Sequence, residues 1–169
     1  MDVETAIRTR RTQKRYTREP VDRETVEDLL DLARFAPNHH LTQPWRFRVL
    51  GPETLARLKE AAGPKEAKKL DRAPTLVIAS AVLTGDPLQD EEDLHATACA
   101  VYAVLLGATG RGLASYWRTP AALRDREIWR ALGLPSNERF VSLIHLGDAV
   151  GEPPPRERQP LEATVEFLP

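Results

Sequence analysis

Nine residues near the start of the chain, Arg8 to Tyr16, read Arg-Thr-Arg-Arg-Thr-Gln-Lys-Arg-Tyr and hold five cations and two threonines. The whole chain carries a formal net charge of −1, so this is a local concentration of charge in a balanced protein. Guanidinium groups take phosphate oxygens through paired, charge-assisted hydrogen bonds, and a threonine hydroxyl adds a neutral one. Arg10, Arg11, Thr12 and Lys14 therefore suit a doubly charged phosphate monoester held without a metal. A solvated basic face or a nucleic-acid contact would use the same residue types. The near-neutral charge balance argues against nucleic acid as the main partner.

Other groups able to do chemistry are sparse. His39-His40 are adjacent, which rarely points two rings at one ion, and no Cys/His cluster completes a four-ligand metal set. His145 sits in an apolar run and reads as a satisfied core histidine, and Cys99 lies among apolar residues as packing. No nucleophile elbow and no carboxylate dyad is present. Gly107-Ala108-Thr109-Gly110-Arg111-Gly112 mimics a dinucleotide fingerprint, but that motif follows a strand and opens a helix, whereas here a long helical run precedes it. A phosphate clamp without a nucleophile, metal set or acid/base pair points to a bound cofactor that carries the chemistry itself.

The elements that must position the clamp follow from periodicity. Residues 2–9 predict a short helix, with Val3 and Ile7 one turn apart and the cations at its C-terminal end. Asp22 reads as the N-cap of a second helix, with Val26, Leu29, Leu30 and Ala33 on one face and Ala36-Pro37 as its stop. Ala36 to Trp45 is a loop bracketed by two prolines and rich in hydrogen-bonding side chains. Strands are expected at Arg46–Leu50, Thr75–Leu83, Leu113–Trp117 and Phe140–Leu146, the second apolar enough to be buried on both faces. Pro52 opens a helix that Gly63-Pro64 stops, and Lys65 to Arg72 follows as a short, basic, exposed helical segment. Asp90-Glu91-Glu92-Asp93 precedes a long helix apolar on most faces, hence central. A helical region ends near Leu132, with Gly133 as its cap.

At 169 residues, 41% hydrophobic and 29% charged, the chain is long enough to bury one core. A single cysteine excludes an intrachain disulfide and fits a reducing, cytoplasmic setting, as does the lack of an apolar N-terminal signal region. The longest apolar stretch, Ala96 to Ala108, is too short to span a bilayer. From Glu152 onward there are five prolines and no glycine, yet Leu161, Val165, Phe167 and Leu168 are apolar. An extended arm with apolar anchors is expected to lie on a second copy of the chain.

Four segments together resemble the FMN-dependent nitroreductase family, and most closely its small, minimal bacterial subgroup. Arg10-Arg11-Thr12-Gln13-Lys14-Arg15-Tyr16 is similar to the family's Arg-X-Ser-X-Arg/Lys-X-Phe opening, with Thr12 keeping the hydroxyl. Ala36-Pro37-Asn38-His39 followed by Gln43-Pro44-Trp45-Arg46-Phe47 resembles its Pro-rich loop, and Gly112-Leu113 through Tyr116-Trp117-Arg118-Thr119 resembles the segment placed against the flavin ring. Arg156-Glu157-Arg158 is similar to a late basic pair that reaches the FMN phosphate. Leu41 and Phe35 depart from the Asn and Arg that relatives carry, which bears on the substrate and the flavin edge.

The resemblance implies an α+β fold, a central mixed but mainly antiparallel sheet with helices on both faces, in an intertwined homodimer. Residues 1–151 would form one FMN-binding domain and 152–169 an arm packed on the partner. It implies FMN as cofactor and NAD(P)H as co-substrate, with a nitroaromatic, quinone or similar acceptor and ping-pong kinetics. Arg10, Arg11, Thr12 and Lys14 would hold the phosphate and ribityl chain, supported by Arg156 and Arg158. Trp117, Arg118 and Thr119 would hold the flavin, and His39 would reach it from the other subunit. No residue is an obligatory acid or base in this scheme. A flavin store or sensor without efficient turnover is the alternative within the same resemblance.

Overall fold

The computed structural model describes all 169 residues. Four strands, β1 (Trp45–Val49), β2 (Thr75–Val82), β3 (Ala114–Arg118) and β4 (Glu138–Gly147), form one sheet in the order β1-β2-β4-β3. All three pairings are antiparallel. The parallel component is a single bridge, Thr12 to Ser115, where the N-terminal segment lies beside β3. β2 is buried over nearly its whole length, as its unbroken apolar run predicts. Val77 and Ala79 face one helix layer while Leu76 and Ile78 face the other.

The first layer is α2 (Arg23–Ala33) and α5 (Pro87–Gly110), and the second is α3 (Pro52–Ala62), α4 (Pro64–Leu70) and α6 (Arg126–Ala131). A short helix, α1 (Val3–Thr9), leads into the basic segment. Aspartates cap the helices that matter most to the site. The carboxylates of Asp2, Asp22 and Asp86 accept the amides of Thr5, Thr25 and Gln89, satisfying N–H groups that a helix start leaves free.

Several sequence expectations are corrected here. α5 begins at Pro87 under the Asp86 cap, a turn before the acidic run; proline at the helix start and the aspartate cap outweigh the dipole signal of Asp90–Asp93. α2 ends at Ala33, three residues before Ala36, with a turn over the interval. The basic segment after Gly63 is only partly exposed, since Leu70 is fully buried in the second layer. Cys99 is exposed. It lies on a second, bare face of α5, where Ala98, Cys99, Tyr102, Ala103 and Leu106 join Leu32, Phe35, Ala36 and Pro37 around an open apolar groove of about 510 Å³. α5 is thus buried against the sheet on one side and left uncovered within this chain on another. No helix is long and apolar enough to cross a membrane.

Candidate functional site

The basic segment is held in place by backbone pairing on both sides. Gln13 N–H donates to the Ser115 carbonyl at 3.1 Å, Thr17 N–H to Asp148 at 3.0 Å, and Val150 N–H to the Arg15 carbonyl at 3.0 Å. Gln13, buried inside the segment, organises it. Its side-chain oxygen accepts the amides of Lys14 and Arg15, and its side-chain nitrogen donates to the Gly151 carbonyl at 2.9 Å. Tyr16 Oη donates to the Gln13 carbonyl at 2.6 Å, and burial pushes its phenol well above the ordinary range, so it stays a neutral donor. The consequence is a fixed backbone from which the basic side chains project.

Those side chains line a cavity of about 530 Å³ at the meeting of the basic segment, β3 and the start of the C-terminal arm. Arg10, Arg11, Thr12 and Lys14 come from the segment, Tyr116 from β3, and Arg156 and Arg158 from the arm. The structure therefore brings together six of the ten residues expected to bind the cofactor, from stretches about 140 positions apart in sequence. Six lining residues are cations and one, Glu152, is an acid, so the cavity is electropositive in a chain of net charge −1. Arg10 Nε is buried without a hydrogen-bond partner within the chain, a donor that an acceptor bound here could satisfy. Arg11 is committed differently: one guanidinium nitrogen donates to the carbonyls of Arg8 and Arg10 at 2.6 and 2.9 Å, closing the C-terminal end of α1. Lys14 Nζ stands 5.9 Å from the centre of the Tyr116 ring. No group of three or more His, Cys, Asp or Glu is arranged to hold a metal ion. The donor set fits a phosphate monoester bound by cations alone.

The other expected residues lie elsewhere. Trp117 is half-buried against the α2/α5 core, and Thr119 is exposed just past β3. Arg118 is buried and ion-paired with Glu66 of α4, leaving one guanidinium nitrogen without a partner. Lys69 first, then Arg118, hold the Glu66 carboxyl below its usual range against the opposing effect of burial. His39 occupies a 3-10 turn, His39–Leu41, where its Nδ1 meets Glu92 at 2.8 Å and its ring stacks on His40 at 3.8 Å. It does not line the cavity of its own chain. Its loop is strained: His40, Leu41 and Gln43 all have positive φ, at 52°, 53° and 45°. Asn38 Oδ1, accepting the Gln43 amide at 2.9 Å, and Thr42 Oγ1, donating to Asp93 at 2.5 Å, keep that geometry.

Three residues escaped the sequence reading. Gln13 and Tyr116 lie within the quoted motifs, but nothing in their type marks one as a buried organiser and the other as a cavity wall. Glu152 sits in the arm, where no periodicity exists to place it. His145 also differs from expectation. It is fully buried, but neither ring nitrogen has a partner, and burial first, then the fields of Arg118 and Arg72, lowers its pKa to about 3.

A family model described as "Nitroreductase family" matches residues 7–65 and 62–148, which takes in the basic segment, the strained loop and all four strands. The Bacillus subtilis protein YfhC, an NAD(P)H nitroreductase by name, is 28% identical over 171 residues, covering 92% of this chain and 88% of its own. A nitroreductase-like family protein from Bacillus cereus superposes with a TM-score of 0.91 at 22% identity, over 99% of this chain and 96% of that one. A Desulfovibrio desulfuricans structure solved in complex with FMN superposes with a TM-score of 0.84 at 26% identity, over 99% and 98% of the two chains.

Proposed function

The chain belongs to the nitroreductase family and is an oxidoreductase, and we propose from that premise that it is an FMN-dependent NAD(P)H oxidoreductase working as a homodimer. The observation that carries the cofactor is the electropositive cavity with the unpartnered Arg10 Nε in its wall. FMN bound there would supply the redox chemistry, taking a hydride from NAD(P)H and passing electrons to a nitroaromatic, quinone or similar acceptor in a second half-reaction at the same pocket.

The protein's part is binding and orientation. Arg10, which has a nitrogen with no internal partner, would hold the phosphate, with Lys14, Arg156 and Arg158 adding charge and Thr12 a hydroxyl. Arg11 contributes its field while its guanidinium holds the end of α1. Trp117, Arg118 and Thr119 carry β3 onward from the Tyr116 wall and border the flavin. In that role Arg118 fixes the strand end through Glu66. His39 of the partner subunit completes the pocket. The bare groove on α5 and the exposed Leu161, Phe167 and Leu168 of residues 152–169 are the surfaces that a second copy would cover. A cytoplasmic location accords with the single free cysteine.

Steady-state kinetics with NADH or NADPH varied at several fixed acceptor concentrations test the proposal. Parallel reciprocal lines are expected. Bound flavin with no acceptor-dependent oxidation of either nicotinamide would instead make the protein a flavin store or sensor.

A further inference from the structure

A second electropositive cavity lies on the opposite helix layer from the α5 groove and shares no residue with the first. It encloses about 400 Å³ and is lined by Arg124, Arg126 and Arg139 around Leu123, Trp129 and Phe140. Arg126 is held by the carbonyls of Glu138 and Ser136, at 2.9 and 3.4 Å. Arg124 and Arg139 are exposed and take part in no ion pair and no side-chain hydrogen bond. Of the neighbouring acids, Glu127 is exposed on α6 and lies outside the recess lining, and two others are committed. Asp125 accepts the amides of Glu127 and Ile128 at the start of α6, and Glu138 is closed off by Arg48 and Ser80. Three arginines thus line one recess that has no acid among its lining residues, over an apolar floor in which Trp129 and Phe140 meet edge to face at 6.3 Å.

One cationic cavity accounts for one phosphate-bearing ligand, and the proposed reaction has two, FMN and the nicotinamide dinucleotide. The strand register relates the second cavity to the first. Tyr116 walls the first cavity and pairs with His145, while Arg118 at the end of β3 pairs with Leu143. Phe140 lies three residues further along β4, about 10 Å at the rise of a strand. Cofactor cradle, end of β3 and arginine recess therefore follow one another along the sheet edge, on the scale of an extended dinucleotide.

We propose that the Arg124–Arg126–Arg139 cavity binds the phosphate groups of the nicotinamide co-substrate, with NADPH, which carries the extra phosphate, gaining more than NADH. The inference rests on the oxidoreductase reading above. ADP, the half of the dinucleotide that lacks the nicotinamide, probes it directly. Calorimetric titration of the flavin-loaded protein with ADP is expected to show binding that weakens about tenfold or more in R124A/R139A, the equivalent of roughly 1.4 kcal/mol. The KM for NADPH should rise by a similar factor in that variant, and by more than the KM for NADH, while kcat changes less and flavin content and acceptor KM stay as in the wild type. Both side chains are exposed, so the variant is expected to fold, which far-UV circular dichroism checks. No ADP binding by the wild-type protein, or equal affinity and equal nicotinamide KM in the variant, would overturn the proposal. Purified protein that takes up no flavin would overturn the oxidoreductase reading instead, and the ADP titration reads the arginine cavity separately from it.

Discussion

Single side chains of the basic segment differ in whether the chain itself already satisfies them. Arg10 has a buried nitrogen with no partner, whereas Arg11, its neighbour, spends its guanidinium on carbonyls. Arg10→Ala is accordingly expected to weaken FMN binding by at least about tenfold, the scale of one charge-assisted hydrogen bond. The flavin-to-protein ratio after desalting measures this. The cation run was legible because guanidinium chemistry is written in residue type; which of its members is free was not, because that depends on where the chain turns. His145 makes the same point from the core. The apolar run around it marks it as buried, but no local pattern reveals that both ring nitrogens lack partners. With its folded pKa near 3 against an ordinary 6.5, the unfolded chain binds a proton that the native state refuses between those values. Stability therefore rises with pH across that window, is fully present above 6.5, and is lost as pH falls. His145→Leu is expected to keep stability at neutral pH and to remove roughly 2 kcal/mol of the loss between about pH 7 and about pH 5, as denaturant melts at the two values measure. Strong destabilisation of that variant at neutral pH would mean that the imidazole has a partner.

Among elements, the site depends on how the basic segment is seated on the sheet. Gly147, the last residue of β4, is the close approach there: a Cβ would meet the Pro74 ring at 2.9 Å and Tyr16 at 3.3 Å. The proline ring is stiff and Tyr16 is buried, so neither yields cheaply. Gly147→Ala is expected to cost about 1–3 kcal/mol in chemical denaturation and, by displacing Tyr16, to lower flavin affinity as well. Wild-type flavin content in a destabilised Gly147→Ala protein would show that the seat of Tyr16 does not govern the cavity. Most elements were legible, since β2 announces itself as an apolar run, Phe140–Leu146 marks most of β4, and Asp22 marks the start of α2. The start of α5 was misplaced because two N-terminal signals, Asp86-Pro87 and the acids from Asp90, compete over one turn. The exposure of Cys99 was hidden because a helix apolar on most faces does not disclose which face the same chain covers. Arg118 was expected just past the third strand and is instead its last residue, while its pairing with Glu66 of α4 joins segments too far apart for sequence spacing to register.

Over the whole molecule, a single chain leaves apolar surface that a lone protomer does not explain. The α5 groove is open, Phe35 is 79% exposed, and Phe167 is 93% exposed at the end of an arm with no strand or α-helix. Apolar surface of this kind favours assembly. Light scattering is expected to give about twice the 18.9 kDa of one chain. Removing residues 160–169 should weaken the dimer and lower flavin content together, and a monomeric truncation with full flavin would separate the arm from the site. The family and the layering could be read in the sequence from motifs kept in order along the chain. The joining of residues 10–14 to 156–158 in one cavity required the fold, because it is made by chain crossing at the edge of β3. The central claim is that this cavity holds FMN and that the flavin accepts electrons from a nicotinamide. The visible absorption spectrum of the purified protein, recorded anaerobically before and after addition of NADH and then NADPH, tests it most directly. A flavin spectrum that bleaches with at least one of the two is predicted; colourless protein that stays colourless after soaking with FMN would contradict the account.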